Sequence, residues 1–149
     1  MSTFWKVKTT LISAAKGWAC VWLVLLLWET LSLLRANAHV PLTDLASITL
    51  IWIVSTGVVT LGATILFIVP YVCLRSADNL LAMPWRMYLE TSLIVILVSL
   101  GLNYAVKAQA YTFWRSLPPY LAFALATSLA SSAFFMLALK RRSSSTFQF

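Results

Sequence analysis

The 149-residue sequence has few of the residues on which catalysis and metal binding usually depend. It contains one histidine, His39, two cysteines and only four acidic residues. No pair of cysteines or histidines has the spacing of a zinc site, so no metal and no cofactor are predicted. A hydrolytic site needs a nucleophile beside a base, and His39 has no evident partner in its short predicted loop. We therefore expect a protein that is not an enzyme.

Charged residues are also scarce, at 10% of the chain, whereas 61% of the residues are hydrophobic. Soluble globular domains are about 25% charged and about 45–50% apolar. Disordered chains are polar and poor in aromatic residues, but this chain has 7 Trp, 8 Phe and 5 Tyr. Both classes are therefore excluded, and the composition predicts that lipid is the solvent of this protein.

Four apolar stretches are long enough to cross a hydrocarbon core, which takes about 20 helical residues. Lipid cannot satisfy an open strand edge, so the spans are predicted to be helices. They cover residues 17–34, 45–74, 87–106 and 119–139. The sequence thus predicts an all-α membrane protein with one domain over 1–149, a compact four-helix bundle with short loops. A basic, serine-rich tail over 140–149 is expected to fray.

Four spans put both termini on one side of the membrane, and the basic residues are divided unequally between the sides. The side of the termini has Lys6, Lys8, Lys16, Arg75, Arg86, Lys140, Arg141 and Arg142, and the other side has Arg35, Lys107 and Arg115. The positive-inside rule then predicts cytoplasmic termini, in a membrane of the bacterial inner-membrane type. Because orientation accounts for the net charge of +7, no nucleic-acid partner is expected.

A secretory signal peptide is the alternative interpretation of the first span. Ala36-Asn37-Ala38 follows a basic start and an apolar run, as at a cleavage site. The apolar run is longer than the usual signal core of about 7–15 residues. Glu29 interrupts the run, and Arg35 directly precedes the small residues. An uncleaved first helix is therefore favoured, with cleavage after Ala38 left open.

Glu29 is the most informative ionisable residue, because it lies inside the first span. Such residues are rare in membranes and usually functional or paired. Helix three runs in the same direction, so Asn103 and Lys107 are expected at a similar depth. Glu29 is predicted to tie helices one and three together through Asn103 or Lys107, to take part in proton or cation coupling beside Trp18 and Trp22, or to contact a partner protein.

One glutamate in the first of four helices resembles the small multidrug exporters. This chain is longer than those proteins, Glu29 lies beyond mid-span, and helix three has no Gly-Val-Gly turn. The family is therefore not assigned. A small proton-coupled exporter that works as an oligomer around Glu29 is kept as the alternative function.

Small residues recur at four-residue spacing in helix four. One row is Ala122, Ala126 and Ala130, and the other is Ala124, Ser128 and Ser132. Small residues let helix backbones approach closely in lipid. Two rows exceed what one neighbouring helix needs, which favours a membrane-protein partner or a homo-oligomer. Packing inside the bundle is the alternative.

Two further groups lie at the predicted membrane surfaces. Outer loop 108–120 has the composition of an interfacial aromatic belt, or of a recognition surface, in Tyr111, Phe113, Trp114 and Arg115. On the inner side, Arg86 and Glu90 are four residues apart and are predicted to pair.

The polar content of the spans favours an accessory protein over a transporter. A transport path normally needs several polar groups, whereas Glu29 is accompanied only by Asn103 and scattered Ser and Thr. We expect a small multi-pass protein that binds a larger membrane partner through its helix faces and short loops. Assembly factors, small complex subunits, immunity proteins and exclusion proteins act in this way.

Overall fold

The computed structural model describes residues 2–36, 42–106 and 110–146. The side chains at 34, 36, 42–45, 48, 103, 106, 110–116 and 145–146 lie outside the described part. All regular elements of the described chain are helices, and it contains no strand. Its helices are α1 (Thr3–Ala36), α2 (Leu42–Ala63), α3 (Val69–Leu74), α4 (Ala77–Ala82), α5 (Pro84–Val106) and α6 (Ala110–Thr146), and a π-helical segment (Thr64–Ile68) joins α2 to α3.

Four stretches of the described chain are long and apolar enough to cross a membrane. They are Thr3–Leu33, Thr49–Leu74, Pro84–Leu102 and Leu117–Ser144. Many of their large apolar side chains are exposed, among them Leu27, Val58 and Leu97, as expected for helices whose solvent is lipid. The all-helical class and the four apolar helices are therefore confirmed, and these features indicate an integral membrane protein.

The helices pack around α6, which contacts α1 and α5. α2, the π-helical segment and α3 pack against α1. At the crossing of α1 and α6, a Cβ added to Gly17 would clash with the backbone of Ser131. The two helices therefore touch backbone to backbone at this point, which only a residue without a side chain allows.

An apolar core lies at the end of the molecule where α1 begins and α6 ends. It consists of Val72, Leu80, Met87, Phe135 and Leu139. The short helix α4 contributes Leu80, and α4 begins where the Ser76 side chain accepts a hydrogen bond from the Asn79 backbone N–H. This N-cap explains why a segment predicted as plain loop is helical.

The first and last helices are longer than the predicted spans. α1 begins at Thr3 rather than at residue 17, because lysines end an apolar run without breaking a helix. The tail predicted to fray is helical as far as Thr146. In the last turns of α6, the hydroxyls of Ser143 and Ser144 donate hydrogen bonds to the Lys140 carbonyl oxygen.

The segment predicted as an outer loop over 108–120 is helical from Ala110 onward, with Pro118 and Pro119 inside α6. The prediction of a loop was wrong there because proline normally ends a helix in water. Within membranes proline is tolerated in helices, since neighbouring groups satisfy the freed carbonyl oxygens.

Pro70 is the second residue after the π-helical segment and lies in the first turn of α3. A proline ring clashes with the carbonyl oxygen four residues earlier and has no N–H to donate. The wider π turn before Pro70 removes this conflict, because its hydrogen bonds span five residues rather than four. The long second span therefore continues past Pro70 instead of breaking.

Candidate functional site

The clearest candidate site is an open groove of about 800 Å³ between α1, α2 and α6. It lies in the half of the molecule that contains the end of α1 and the beginning of α2. Its lining residues are Cys20, Val21, Trp22, Val24, Leu25 and Glu29 of α1, Thr49, Trp52 and Thr56 of α2, and Pro119, Tyr120, Ala122, Phe123 and Ala126 of α6. Glu29 is the one acidic residue among these described lining residues.

Glu29 is exposed in this groove. Within the described part of the chain, no hydrogen-bond donor or cation contacts its carboxylate. No residue of α5 is among the described lining residues. The Asn103 side chain and the whole of Lys107 lie outside the described residues, so the tie between helices one and three stays a prediction.

Two indoles and one threonine form a hydrogen-bonded cluster between α1 and α2, and Trp22 and Thr56 of this cluster line the groove. Trp18 Nε1 and Trp22 Nε1 donate hydrogen bonds of 3.2 and 2.9 Å to Thr56 Oγ1. Thr56 Oγ1 in turn donates to the Trp52 carbonyl oxygen at 2.8 Å. All hydrogen-bonding positions of this hydroxyl are therefore occupied, and the two bonds from the indoles link α1 to α2.

Aromatic pairs connect both sides of the groove to α6. The ring centroids of Trp22 and Phe123 lie 5.8 Å apart, and those of Trp52 and Tyr120 lie 5.7 Å apart, both pairs in tilted arrangements. Such geometry is the favourable one for aromatic side chains. The groove thus has an aromatic wall beside Glu29.

The two rows of small residues on α6 face different sides. Ala122 and Ala126 are exposed and line the groove, and Ala130 is half-buried. In the other row, Ser128 and Ser132 are buried and Ala124 is half-buried. Residues two positions apart differ by about 200° around a helix, which places the rows on nearly opposite faces.

No family model, no curated protein and no solved structure matches this chain. Its function is therefore inferred from the geometry of the groove.

The predicted aromatic belt falls outside the described side chains. Tyr111, Phe113, Trp114 and Arg115 lie in the α6 backbone, but their side chains are not among those described, so this belt stays a prediction. Cys20 and Cys73 are free thiols.

A charged cluster lies outside the groove, where α3 ends and α5 begins. Glu90 accepts from Arg86 at 2.6 Å and from Arg75 at 3.0 Å. The predicted pairing of Arg86 with Glu90 is confirmed. Arg75 was missed, because it lies fifteen positions before Glu90 and only the turn through α4 brings the two together.

Sequence reasoning also missed most of the groove's aromatic wall. Trp52 and Phe123 are unremarkable members of apolar runs, and no local spacing relates them to Glu29. Predicted depth gave no signal either, since Trp22 falls in the inner half of its predicted span and Trp52 and Phe123 fall in the outer halves of theirs.

Proposed function

We propose that this protein is a non-enzymatic accessory protein that binds a transmembrane helix of a larger membrane partner in the groove. The observation that carries the proposal is the exposed carboxylate of Glu29 without a described counter-group. A charged side chain costs about 2.5–3.5 kcal/mol at the centre of a transmembrane helix on insertion scales, and this value is an upper bound for Glu29, which lies four residues before the end of the first span. A basic or hydrogen-bond-donating side chain on the partner offsets this cost.

The shape of the groove supports a helical occupant. A helix is about 10 Å across and rises 5.4 Å per turn, so a volume of about 800 Å³ corresponds to about two turns. Ala122 and Ala126 form one wall, and small side chains let a partner backbone approach closely. The partner helix is therefore expected to carry small residues on the face that enters the groove.

The proposal also includes the orientation of the protein and the type of membrane in which it lies. The basic residues favour cytoplasmic termini in a bacterial inner membrane, where the groove opens in the outer half of the bilayer. Assembly factors, complex subunits, immunity proteins and exclusion proteins are the kinds of protein that this description fits. No described lining residue is a histidine, which is why we do not assign a reaction to the groove.

The test compares three leucine substitutions on small residues. Ala126→Leu fills the groove, Ser128→Leu overpacks the buried side of α6, and Ala105→Leu changes an exposed residue of α5 outside the groove. Complex size in mild detergent and monomer stability are measured for each variant. We expect Ala126→Leu to lose the complex with a stable monomer, Ser128→Leu to lower stability, and Ala105→Leu to change neither. A complex that survives Ala126→Leu contradicts the proposal.

Glu29 is tested separately by Glu29→Gln and Glu29→Leu. An amide still forms hydrogen bonds, so Glu29→Gln should retain the partner if the carboxylate accepts from a neutral donor and lose it if the partner side chain is cationic. Glu29→Leu should lose about 0.6–2 kcal/mol of the association energy, the range for interhelical polar contacts. Unchanged association in both variants excludes Glu29 from the interface.

The second candidate function, a small proton-coupled exporter working as an oligomer, is favoured by one observation. Glu29 and the aromatic wall line the same groove, and aromatic faces attract lipophilic cations. Tetraphenylphosphonium is the appropriate probe, with tryptophan fluorescence as the readout. Saturable binding that Glu29→Gln abolishes, without any co-purifying partner, would favour the exporter over the accessory protein.

A further inference from the structure

A basic cleft with a volume of about 530 Å³ lies between α1 and α6, near the end of the molecule where α1 begins and α6 ends. Lys16 of α1 and Arg141 and Arg142 of α6 line this cleft, and no acidic residue is among its described lining residues. All three basic residues are exposed. The basic cleft therefore has three positive charges and no carboxylate in its described lining.

Other basic residues at this end of the molecule are engaged by the protein itself. Lys6 donates to two backbone carbonyl oxygens, and two arginines outside the basic cleft pair with Glu90. Lys16 and Arg141, in contrast, form no hydrogen bond or ion pair within the described part of the chain. The orientation of the protein predicts how many basic residues lie at this end, but it does not explain why three of them converge on one cleft.

Arg142 is positioned by an aromatic contact. Its guanidinium carbon lies 4.7 Å from the centroid of the Trp5 ring, which is the geometry of a cation–π interaction. Trp5 in turn packs against Phe135 of the apolar core, with ring centroids 6.4 Å apart. The core therefore fixes one side of the basic cleft.

The cations lie at both ends of the basic cleft. Lys16 directly precedes Gly17, where α1 crosses α6, whereas Arg142 contacts Trp5 close to the beginning of α1. The eleven residues from Trp5 to Lys16 correspond to a rise of about 16 Å. The basic cleft is therefore longer than the headgroup layer of one leaflet, which is about 5–8 Å thick.

The wall between the cations is apolar. Ile12 and Phe134 line the basic cleft, and Ile12 is 44% exposed. All described lining residues belong to the two candidate membrane spans Thr3–Leu33 and Leu117–Ser144. A free inorganic anion would satisfy only the charges. A ligand that matches the whole surface has an anionic group and an apolar part, as a phospholipid with net negative charge does.

We propose that the basic cleft binds one anionic phospholipid, with its phosphate between Lys16 and Arg141 and the beginning of an acyl chain against Ile12 and Phe134. Long basic side chains reach headgroups while their stems lie along apolar surface, and basic pockets between transmembrane helices are typical headgroup sites. The bound lipid bridges α1 and α6. The basic cleft shares no described lining residue with the groove, so the proposal does not depend on what the groove binds.

The first test compares two lipids. Native mass spectrometry of the full chain in mild detergent measures the dissociation constants of phosphatidylglycerol and of phosphatidylcholine with the same acyl chains. Inorganic phosphate is the competitor. We expect tighter binding of phosphatidylglycerol, because only this lipid has a net negative charge, and no displacement by phosphate. Equal affinity for the two lipids overturns the proposal, and displacement by phosphate identifies a site for free anions instead.

The second test compares two double variants with the same net charge. Lys16→Gln with Arg141→Gln removes two charges from the basic cleft, whereas Lys8→Gln with Lys140→Gln removes two from exposed positions outside it. Each basic residue contributes about fivefold to the binding of anionic lipid. The first pair should therefore weaken phosphatidylglycerol binding by about 25-fold, and the second pair should leave it unchanged. Equal losses in both pairs overturn the proposal.

A further variant tests the cleft without changing its charge. Ala138 lines the basic cleft and is half-buried, so Ala138→Leu fills the space that the proposal gives to the lipid. Lys16→Arg with Arg141→Lys keeps both charges and is the matched control. We expect Ala138→Leu to weaken phosphatidylglycerol binding and the charge-conserving pair to retain it. Unchanged binding in Ala138→Leu places the lipid elsewhere and overturns the proposal.

Discussion

Gly17 of α1 lies against Ser131 of α6 so closely that a Cβ on Gly17 would be 2.6 Å from the Ser131 backbone nitrogen. Backbone atoms cannot move aside as the end of a flexible side chain can. The packing of the first helix against the last therefore depends on the absence of one methyl group.

Gly17→Ala should lower the free energy of unfolding by about 1–3 kcal/mol, because the new methyl group forces the helices apart. Gly62→Ala is the matched control, since a Cβ at Gly62 would meet nothing within 4 Å. That substitution should raise stability by up to about 1 kcal/mol through helix propensity. Unfolding in a mixed detergent titration measures both, and equal effects of the two changes would refute the close contact.

Lys6 joins the beginning of α1 to the end of α3. Its ammonium group donates to the carbonyl oxygens of Cys73, at 3.4 Å, and of Arg75. Lys6→Met keeps the aliphatic length and removes the charge, so we expect a loss of about 1.5–3 kcal/mol, the range for hydrogen bonds to charged groups. Lys8→Met, at an exposed position, should have no such effect. Similar losses in the two variants would argue against the Lys6 contact.

The ion pair between Arg75 and Glu90 is predicted to be weak and sensitive to salt. Both side chains are partly exposed, at 37% and 21%, and such pairs contribute about 0.2–1 kcal/mol. A double-mutant cycle with Arg75→Gln and Glu90→Gln should give a coupling energy in this range at low salt. Raising the salt concentration to 1 M should reduce it, because the Debye length falls to about 3 Å. A coupling energy that does not change with salt would contradict this account.

The orientation is tested with topology reporters. Fusions after Phe149 and within residues 37–42 should report opposite sides, cytoplasmic and outer respectively, because the basic residues cluster on the side of the termini. A C-terminal reporter on the outer side would refute the four-span topology. A chain shortened after Ala38 in mature protein would support the signal-peptide alternative.

The four spans could be predicted because they depend on composition over about 20 residues, which the sequence displays directly. The helix ends could not, since they depend on local capping and on lipid. Ser76 caps α4 by accepting a hydrogen bond from Asn79. This capping pattern is recognisable in the sequence, but a reading based on hydropathy does not reveal it. Pro118 and Pro119 resemble a helix start, but the membrane permits them inside α6.

The neighbours of Glu29 in the groove could not be predicted, for a different reason. Glu29 could be identified from its own depth in the first span. The neighbours that give it an aromatic wall come from α2 and α6, through the pairs of Trp22 with Phe123 and of Trp52 with Tyr120. These contacts depend on how the helices rotate about their axes, and the helices here are apolar on nearly all faces. Hydrophobic periodicity, the usual indicator of rotation, is therefore weak in this chain.

The π-helical segment Thr64–Ile68 sets the rotational phase of the second span. Its turn contains one residue more than an α-helical turn, and one residue corresponds to about 100° of rotation. Because of this offset, Thr56 meets the indoles of α1 while Val72 enters the apolar core. Removing one residue from 64–68 would restore regular α-helix and turn Thr56 away from both indoles without shortening the span appreciably. The number of residues in this segment therefore determines which face of α2 packs against α1. This effect does not depend on which side chains that face carries.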